Sequence, residues 1–258
     1  MSGSSAILKS SLAKKYWMAF TGLFLCLFLI GHLAGNLQLF MSGYEGRLQF
    51  NEYAVFMTTN PAVKLLSYLT YLSIIFHAID GIMLTVANKK ARPVAYASNN
   101  AGANSAWASR NMAVLGLILL IYIVVHMSDF WYEYKFGALP YMTAQDMTTP
   151  LLKSGEAVAG GQVVNGIVMV NGQSAGPVMK DLYTEVMKAF QVPWIVILYV
   201  FSMLAMAFHL SHGFQSAFQS LGLRHHKYTP LIKKTGTAFA VIVSLLFAAI
   251  PVYIFFMH

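Results

Sequence analysis

The chain has 258 residues, 57% of them hydrophobic and 10% charged, with a mean hydropathy of +0.59, whereas an ordinary soluble domain carries roughly 25% charged residues. That balance excludes a soluble globular protein, and the length is better counted in membrane spans of about 20 apolar residues than in domains. The net charge of +8 would suit nucleic acid if it clustered on a soluble face, but along the chain it marks one side of a membrane, so no nucleic-acid partner is expected.

The polar amino terminus, Met1 to Lys15, ends in Lys14-Lys15. The apolar run behind it, Trp17 to Met41, is too long for a signal-peptide core and lacks an A-x-A cleavage pattern, so it is expected to be a retained first span. Cys26, inside this run, is the one cysteine of the sequence. A disulfide framework, a CxxC metal knuckle and a CxxCH site for covalent haem are thereby excluded. Further apolar runs at Val63 to Ala87, Met112 to Tyr132, Val192 to Leu221 and Thr235 to Met257 bring the total to five. Each is long enough to cross about 30 Å at about 1.5 Å per residue. The pattern predicts an all-α integral membrane protein, residues 1–258 forming a single membrane domain of five transmembrane helices surrounded by lipid.

The longest connection, about Glu133 to Gln191, holds two Asn-Gly pairs, Asn165-Gly166 and Asn171-Gly172, which favour tight turns with positive φ. Between them Ile167 to Val170 is a short β-prone run, predicting a small hairpin, followed by an amphipathic helix from Lys180 to Phe190 lying at the membrane surface. Nothing in this connection looks catalytic.

Alternate connections must share a side of the membrane. One side collects Lys9, Lys14, Lys15, Lys89, Lys90, Arg92, Arg110, Arg224, Lys227, Lys233 and Lys234, which is 11 of the 17 basic residues, with no Asp or Glu. The other carries Arg47, Lys64, Lys135, Lys153, Lys180 and Lys188, diluted by Glu45, Glu52, Glu133, Asp146, Glu156, Asp181 and Glu185. The positive-inside rule puts the amino terminus in the cytoplasm and the carboxyl terminus outside. The basic face reads either as orientation alone or as a docking surface for an acidic cytoplasmic partner.

Of the eight histidines, His32, His77, His126, His209 and His212 fall inside apolar runs, while His225, His226 and His258 lie at ends or loops. Intramembrane ionisable groups tend to face a bundle interior, where they pair, relay protons or bind a ligand. Counted along the helical rise from the basic side, His32 and His126 lie at a depth of about 21–23 Å, on spans one and three, and His77 and His209 at about 15–18 Å, on spans two and four. Taken singly, each histidine is open to an interhelical hydrogen bond. Four on four helices, paired by depth, are what two stacked haems with two opposed imidazoles each require, an arrangement without an open position for oxygen and suited to electron transfer. Gly22, Gly31, Gly35, Gly81 and Gly213 would let helices or a porphyrin approach closely. His212, three residues beyond His209, is open to three roles: propionate partner, packing residue or ligand. A zinc HExxH site is absent, because His209-Leu-Ser-His212 lacks both its glutamate and its i, i+4 spacing. No GxSxG, Walker or Rossmann motif occurs.

Four stretches, Gly22 to Leu33 (GLFLCLFLIGHL), Phe76-His77-Ala78, Val125-His126-Met127 and His209-Leu-Ser-His212-Gly213, together resemble the single-subunit di-haem cytochrome b anchor of succinate dehydrogenase and fumarate reductase, a succinate:quinone oxidoreductase. The first is the most specific, with its Gly-Leu-Phe opening and its Gly-His at the family's distance. The family's ligand on span four is followed four residues later by glycine, which fits His209 and Gly213 and leaves His212 as an extra. The resemblance implies haem iron ligated by His77 with His209 nearer the cytoplasm and by His32 with His126 nearer the outside, the same pairing as the depth count. It further implies two haem b, a bacterial cytoplasmic membrane, and cytoplasmic partners: an iron-sulfur subunit and beyond it a flavoprotein where succinate and fumarate interconvert. This would be the membrane part of respiratory complex II, linked to the tricarboxylic acid cycle, with the succinate chemistry itself outside this chain. Electrons would pass to or from a quinone, menaquinone in this branch. About Gly137 to Met179 falls outside the resemblance.

For the quinone, Glu52 is the candidate, with Asp129 also toward the outer face; ordinary surface carboxylates look the same in sequence. Arg110 and Asn111, at the start of span three, are candidate haem-propionate contacts, against a plain positive-inside role. Two other functions stay open: the cytochrome b anchor of another dehydrogenase, such as a hydrogenase or formate dehydrogenase, and a proton-coupled transporter with histidine relays. The second would be expected to show an internal repeat or broken helices, and neither is visible.

Overall fold

The computed structural model describes residues 11–91, 93–94 and 100–257. Lys9, Arg92 and His258 lie outside the described residues. The chain is mostly helical: α1 (Ser11–Asn36), α2 (Gly43–Thr59), α3 (Pro61–Lys90), α4 (Met112–His126), α5 (Leu182–Ala189), α6 (Pro193–Ser220) and α7 (Thr229–Met257). Among the described residues, five helical stretches are long and apolar enough to cross a membrane: Leu12–Phe40, Pro61–Lys90, Met112–Phe136, Pro193–Ser220 and Thr229–Met257. This is the character of a multi-pass membrane protein.

The ends of these helices follow local chemistry that an apolar count does not see. α7 begins at Thr229, ahead of Lys233 and Lys234, because lysine is a good helix former even where it ends a hydrophobic run. α3 starts at Pro61, whose missing N–H costs nothing in the first turn, and Asn60 Oδ1 accepts from the N–H groups of Ala62 and Val63 at 2.9 and 3.3 Å. α4 does not stop at His126 but passes into a π-helical turn, Met127–Tyr132, and a last turn, Glu133–Phe136.

α2 lies in the connection between the first two apolar runs. Its 17 residues are too polar for a span, yet Gly46, Phe50 and Ala54 are buried at a spacing of four, the stripe of an amphipathic helix.

The chain folds into two compact units, each assembled from pieces of the same helices. The first comprises Met1–His32, Ser67–Tyr122 and Val200–Ala248; the second comprises Leu33–Leu66, Ile123–Tyr199 and Ala249–His258. The division coincides with the charge asymmetry. Among the described residues, the first unit holds Lys14, Lys15, Lys89, Lys90, Arg110, Arg224, Lys227, Lys233 and Lys234, with Asp80 as its one acid. It is the basic unit, and the other the mixed unit.

In the mixed unit, β1 (Gln162–Val164), β2 (Ile167–Val170) and β3 (Gln173–Pro177) form an antiparallel sheet in that order. The hairpin expected around Ile167 to Val170 is thus joined by a third strand. Val164 pairs with Ile167 and Val170 with Gln173, so each Asn-Gly pair is a two-residue turn. Asn165, Gly166, Asn171 and Gly172 all have positive φ, from 50 to 79°, as a hairpin with right-handed twist demands. Leu152, Val168 and Val178 form a core beneath the sheet, and Met142, Leu151 and Met179 form another, against which Tyr44, Leu48 and Val55 of α2 pack.

A buried ion pair ties α2 to α5. Asp181, fully buried, takes Arg47 Nη2 at 2.7 Å and Nε at 2.8 Å, Asn51 Nδ2 at 2.7 Å and the Thr184 N–H at 3.1 Å. It is at once the N-cap of α5 and the partner of a buried cation. The expected surface helix therefore turns its buried residues, Tyr183 and Val186, toward the protein; the Tyr183 ring meets Phe50 of α2 at 6.1 Å. Lys180 donates to the Tyr134 carbonyl at 2.7 Å, and burial, with Lys153 and Lys135 nearby, lowers its amine from the usual lysine value.

Candidate functional site

Two of the four candidate ligands meet within the basic unit. His77 on α3 and His209 on α6 have ring centroids 6.3 Å apart and planes inclined at 68°. Two imidazoles on opposite sides of one metal, each bonded at about 2.0–2.1 Å, have ring centres roughly 6 to 6.5 Å apart. Edge-to-face packing of two rings also covers about 4.5–7 Å, so the separation alone does not choose between them.

His209 supplies a second observation. Its Nδ1 is buried with no hydrogen-bond partner among the described residues. An unsatisfied buried polar atom costs about 1–3 kcal/mol, so a ring placed purely for packing would more economically be phenylalanine. Each ring also rests on a glycine of a neighbouring helix. A Cβ on Gly22 of α1 would stand 3.2 Å from His77 Cε1, and one on Gly116 of α4 would stand 3.5 Å from His209 Cε1. The two imidazoles are thus seated on backbone, with no side chain between.

Thr21 is the side-chain partner of His77 Nδ1. Its hydroxyl donates back to the carbonyls of Trp17 and Met18 at 2.9 and 3.2 Å, so toward His77 Nδ1, 3.2 Å away, it can only accept. In the tautomer that matches these bonds, Nδ1 donates to Thr21 and the lone pair is on Nε2. An imidazole that donates through one nitrogen and offers the other is the usual form of a metal-ligating histidine. Among the described residues no group of three or more His, Cys, Asp or Glu is placed to hold a metal ion. A cofactor that asks the protein for two imidazoles would fit this donor set.

His32, half-buried in the basic unit, is stacked by Phe28 at 5.2 Å and 15° and flanked by Phe247 at 5.6 Å. His126 belongs to the mixed unit, where its Nδ1 lies 3.3 Å from the Tyr199 hydroxyl and its ring 5.5 Å from Phe130. His212 is half-buried on α6, and among the described residues it is His209, not His212, whose ring meets His77.

The remaining candidates are engaged locally. Arg110, exposed, donates to the Ala101 carbonyl at 3.0 Å and to the carbonyl and hydroxyl of Ser105. Asn111 donates to the Trp107 carbonyl at 2.9 Å. As the chain stands, both side chains brace the connection before α4. Glu52 is exposed on α2, with Oε1 3.2 Å from where a Cβ on Gly155 would stand. Of the glycines expected to permit close approach, Gly22 and Gly35 do so, the latter against the Tyr53 ring. Gly81 and Gly213 meet only ordinary contacts, and Gly31 has nothing within 4 Å.

Thr21, Gly116 and Tyr199 went unseen in the sequence. Gly116 is the one glycine of the third apolar run and could have been singled out; Thr21 and Tyr199 carry no signal that separates them from other threonines and tyrosines in spans. Comparison of the chain with family models, with curated proteins and with solved structures finds no match.

Proposed function

We propose that this chain is the di-haem cytochrome b membrane anchor of a succinate:quinone oxidoreductase, passing electrons between an iron-sulfur subunit and a membrane quinone, menaquinone by the resemblance. On this reading it lies in a bacterial cytoplasmic membrane, amino terminus inside and carboxyl terminus outside. The observation that carries it is the His77–His209 pair, 6.3 Å between ring centroids, with a buried ring nitrogen that no described residue satisfies. The outer pair, His32 with His126, rests on their matched depth along spans one and three.

His77 and His209 would hold a haem between them, and that haem would supply reversible one-electron transfer. The residues around it hold and orient. The Thr21 hydroxyl, 3.2 Å from His77 Nδ1, would hold that ring in place and leave Nε2 as the nitrogen for the haem iron. Gly22 and Gly116 leave room for both rings to sit against the neighbouring helices. The cations of the basic unit, opposed among the described residues by Asp80 alone, would steer an acidic soluble subunit to that end of the chain. Glu52 is the proposed proton-exchanging group at the quinone.

The partner enzyme rests on the resemblance of the four histidine stretches, since the anchor of a hydrogenase or formate dehydrogenase could use the same ligands. Purification of the intact complex with pyridine haemochrome analysis separates the readings. Two haem b per chain together with a covalent-flavin partner that oxidises succinate is the expected result. Two haems with a flavin-free partner would assign the chain to another dehydrogenase. A haem-free complex would overturn electron transfer and return the histidines to a proton-relay or packing role.

A further inference from the structure

We infer that Tyr199 and Asp129 are positioning residues for His126: a hydrogen-bonded chain from the carboxylate through the phenol to the imidazole fixes the histidine's ligating tautomer and lowers the potential of the haem it holds. The inference rests on the haem reading above and concerns residues that neither the resemblance nor the spacing of the histidines assigns.

The geometry lies wholly within the mixed unit. The Tyr199 hydroxyl donates to Asp129 Oδ2 at 3.4 Å and stands 3.3 Å from His126 Nδ1. A phenol has one proton. Once that proton is committed to the carboxylate, the oxygen can only accept from the imidazole, so Nδ1 bears the proton and Nε2 the lone pair. The direction of the whole chain follows from its acidic end.

The phenol is held rigidly enough to enforce this. Tyr199 is 4% exposed and Phe190 likewise 4%; their rings pack edge to face at 5.0 Å, and Phe130 adds contacts to Tyr199 at 6.3 Å and to His126 at 5.5 Å. His126 ends the first α-helical stretch of its span, and Asp129 and Phe130 lie in the π-helical turn Met127–Tyr132 that follows. Such turns recur at functional sites because they re-aim side chains within an otherwise regular helix.

The contrast with His77 gives the chain its consequence. The relay from His77 runs through Thr21 to the backbone carbonyls of Trp17 and Met18, which are neutral. The relay from His126 ends on a carboxylate. Hydrogen bonds to an ionised acceptor are roughly twice as strong as neutral ones, and an imidazole donating toward an anion is the more basic ligand. A more basic ligand favours ferric over ferrous iron, which lowers the midpoint potential.

Redox titration of the purified complex, read through the haem α-bands, tests this with Tyr199→Phe and Asp129→Asn. Both variants should keep two haems, and in both one component should move to higher potential, by about 59 mV for each tenfold loss of ferric preference. The component that moves should be the one missing from His126→Ala. Unchanged potentials in both variants, or movement of the other component, would overturn the relay while leaving the haem assignment intact. A haem-free wild-type complex would instead overturn the underlying reading. Should Tyr199→Phe lose haem outright, Asp129→Asn, which keeps the phenol and its packing, carries the measurement.

Discussion

The ring of His77 meets the ring of His209 at 6.3 Å, and among the described residues it does not meet His212, one turn further along the same helix. Two histidines three residues apart are indistinguishable ligands by composition, and their orientation on α6 separates them. If the chain holds two haems as proposed, His209→Ala is expected to remove one of them, and His212→Ala to leave both. Pyridine haemochrome stoichiometry on the two purified variants decides it; the reverse pattern would make His212 the ligand.

The glycine seats make a second expectation. A valine at Gly22 carries its methyl groups beyond a Cβ that already stands 3.2 Å from His77 Cε1, whereas Gly31 has nothing within 4 Å of its Cβ position. Overpacking of this kind costs about 1–3 kcal/mol. Gly22→Val should thus lose haem during size-exclusion chromatography where the wild type retains it, and Gly31→Ala should behave as wild type. Equal retention by Gly22→Val would mean that the seat does not constrain the ring.

The Arg47–Asp181 pair is expected to matter for stability and not for haem. Asp181 is fully buried and Arg47 partly so, and removal of the partner of a buried charge costs about 3–5 kcal/mol because that charge is left unpaired. Arg47→Ala should expose the connection between Glu133 and Gln191 to limited proteolysis at a lower temperature than wild type. The haem spectrum should not change. Replacement of both residues, Arg47→Ala with Asp181→Asn, should recover part of the loss, since no stranded charge remains and the side-chain oxygen still accepts from the Thr184 N–H.

Asp146 offers a prediction in pH. The hydroxyl and N–H of Thr149 and the N–H of Thr148 hold its carboxyl well below the usual carboxylate value of 3.8. A folded-state value below the unfolded one means that the turn is stabilised above the ordinary carboxylate range and loses that contribution as pH falls through the folded value. The carboxyl carbon resonance of Asp146 should titrate below 3.8, and Asp146→Asn should remove the acid sensitivity of the Thr148 and Thr149 amides. A midpoint at the ordinary value would show that these bonds are not held in solution.

Much of this protein is legible in its order of residues. Five apolar helices, the segregation of the cations and the two Asn-Gly turns all follow from periodicity, charge and local turn chemistry, which act within a few residues and need no knowledge of the fold. α2 was not read from the sequence, because its mixed polarity hid it between two longer apolar runs. What tertiary structure decided lies in contacts between residues far apart in sequence. Arg47 finds Asp181, Gly116 lies under His209, and the Tyr199 phenol reaches both His126 and Asp129. A tyrosine or an aspartate has the same intrinsic chemistry wherever it stands in a span; its direction and partner depend on the rotation of its helix about its own axis, which is set by packing against the neighbouring helices and is not encoded in any local window.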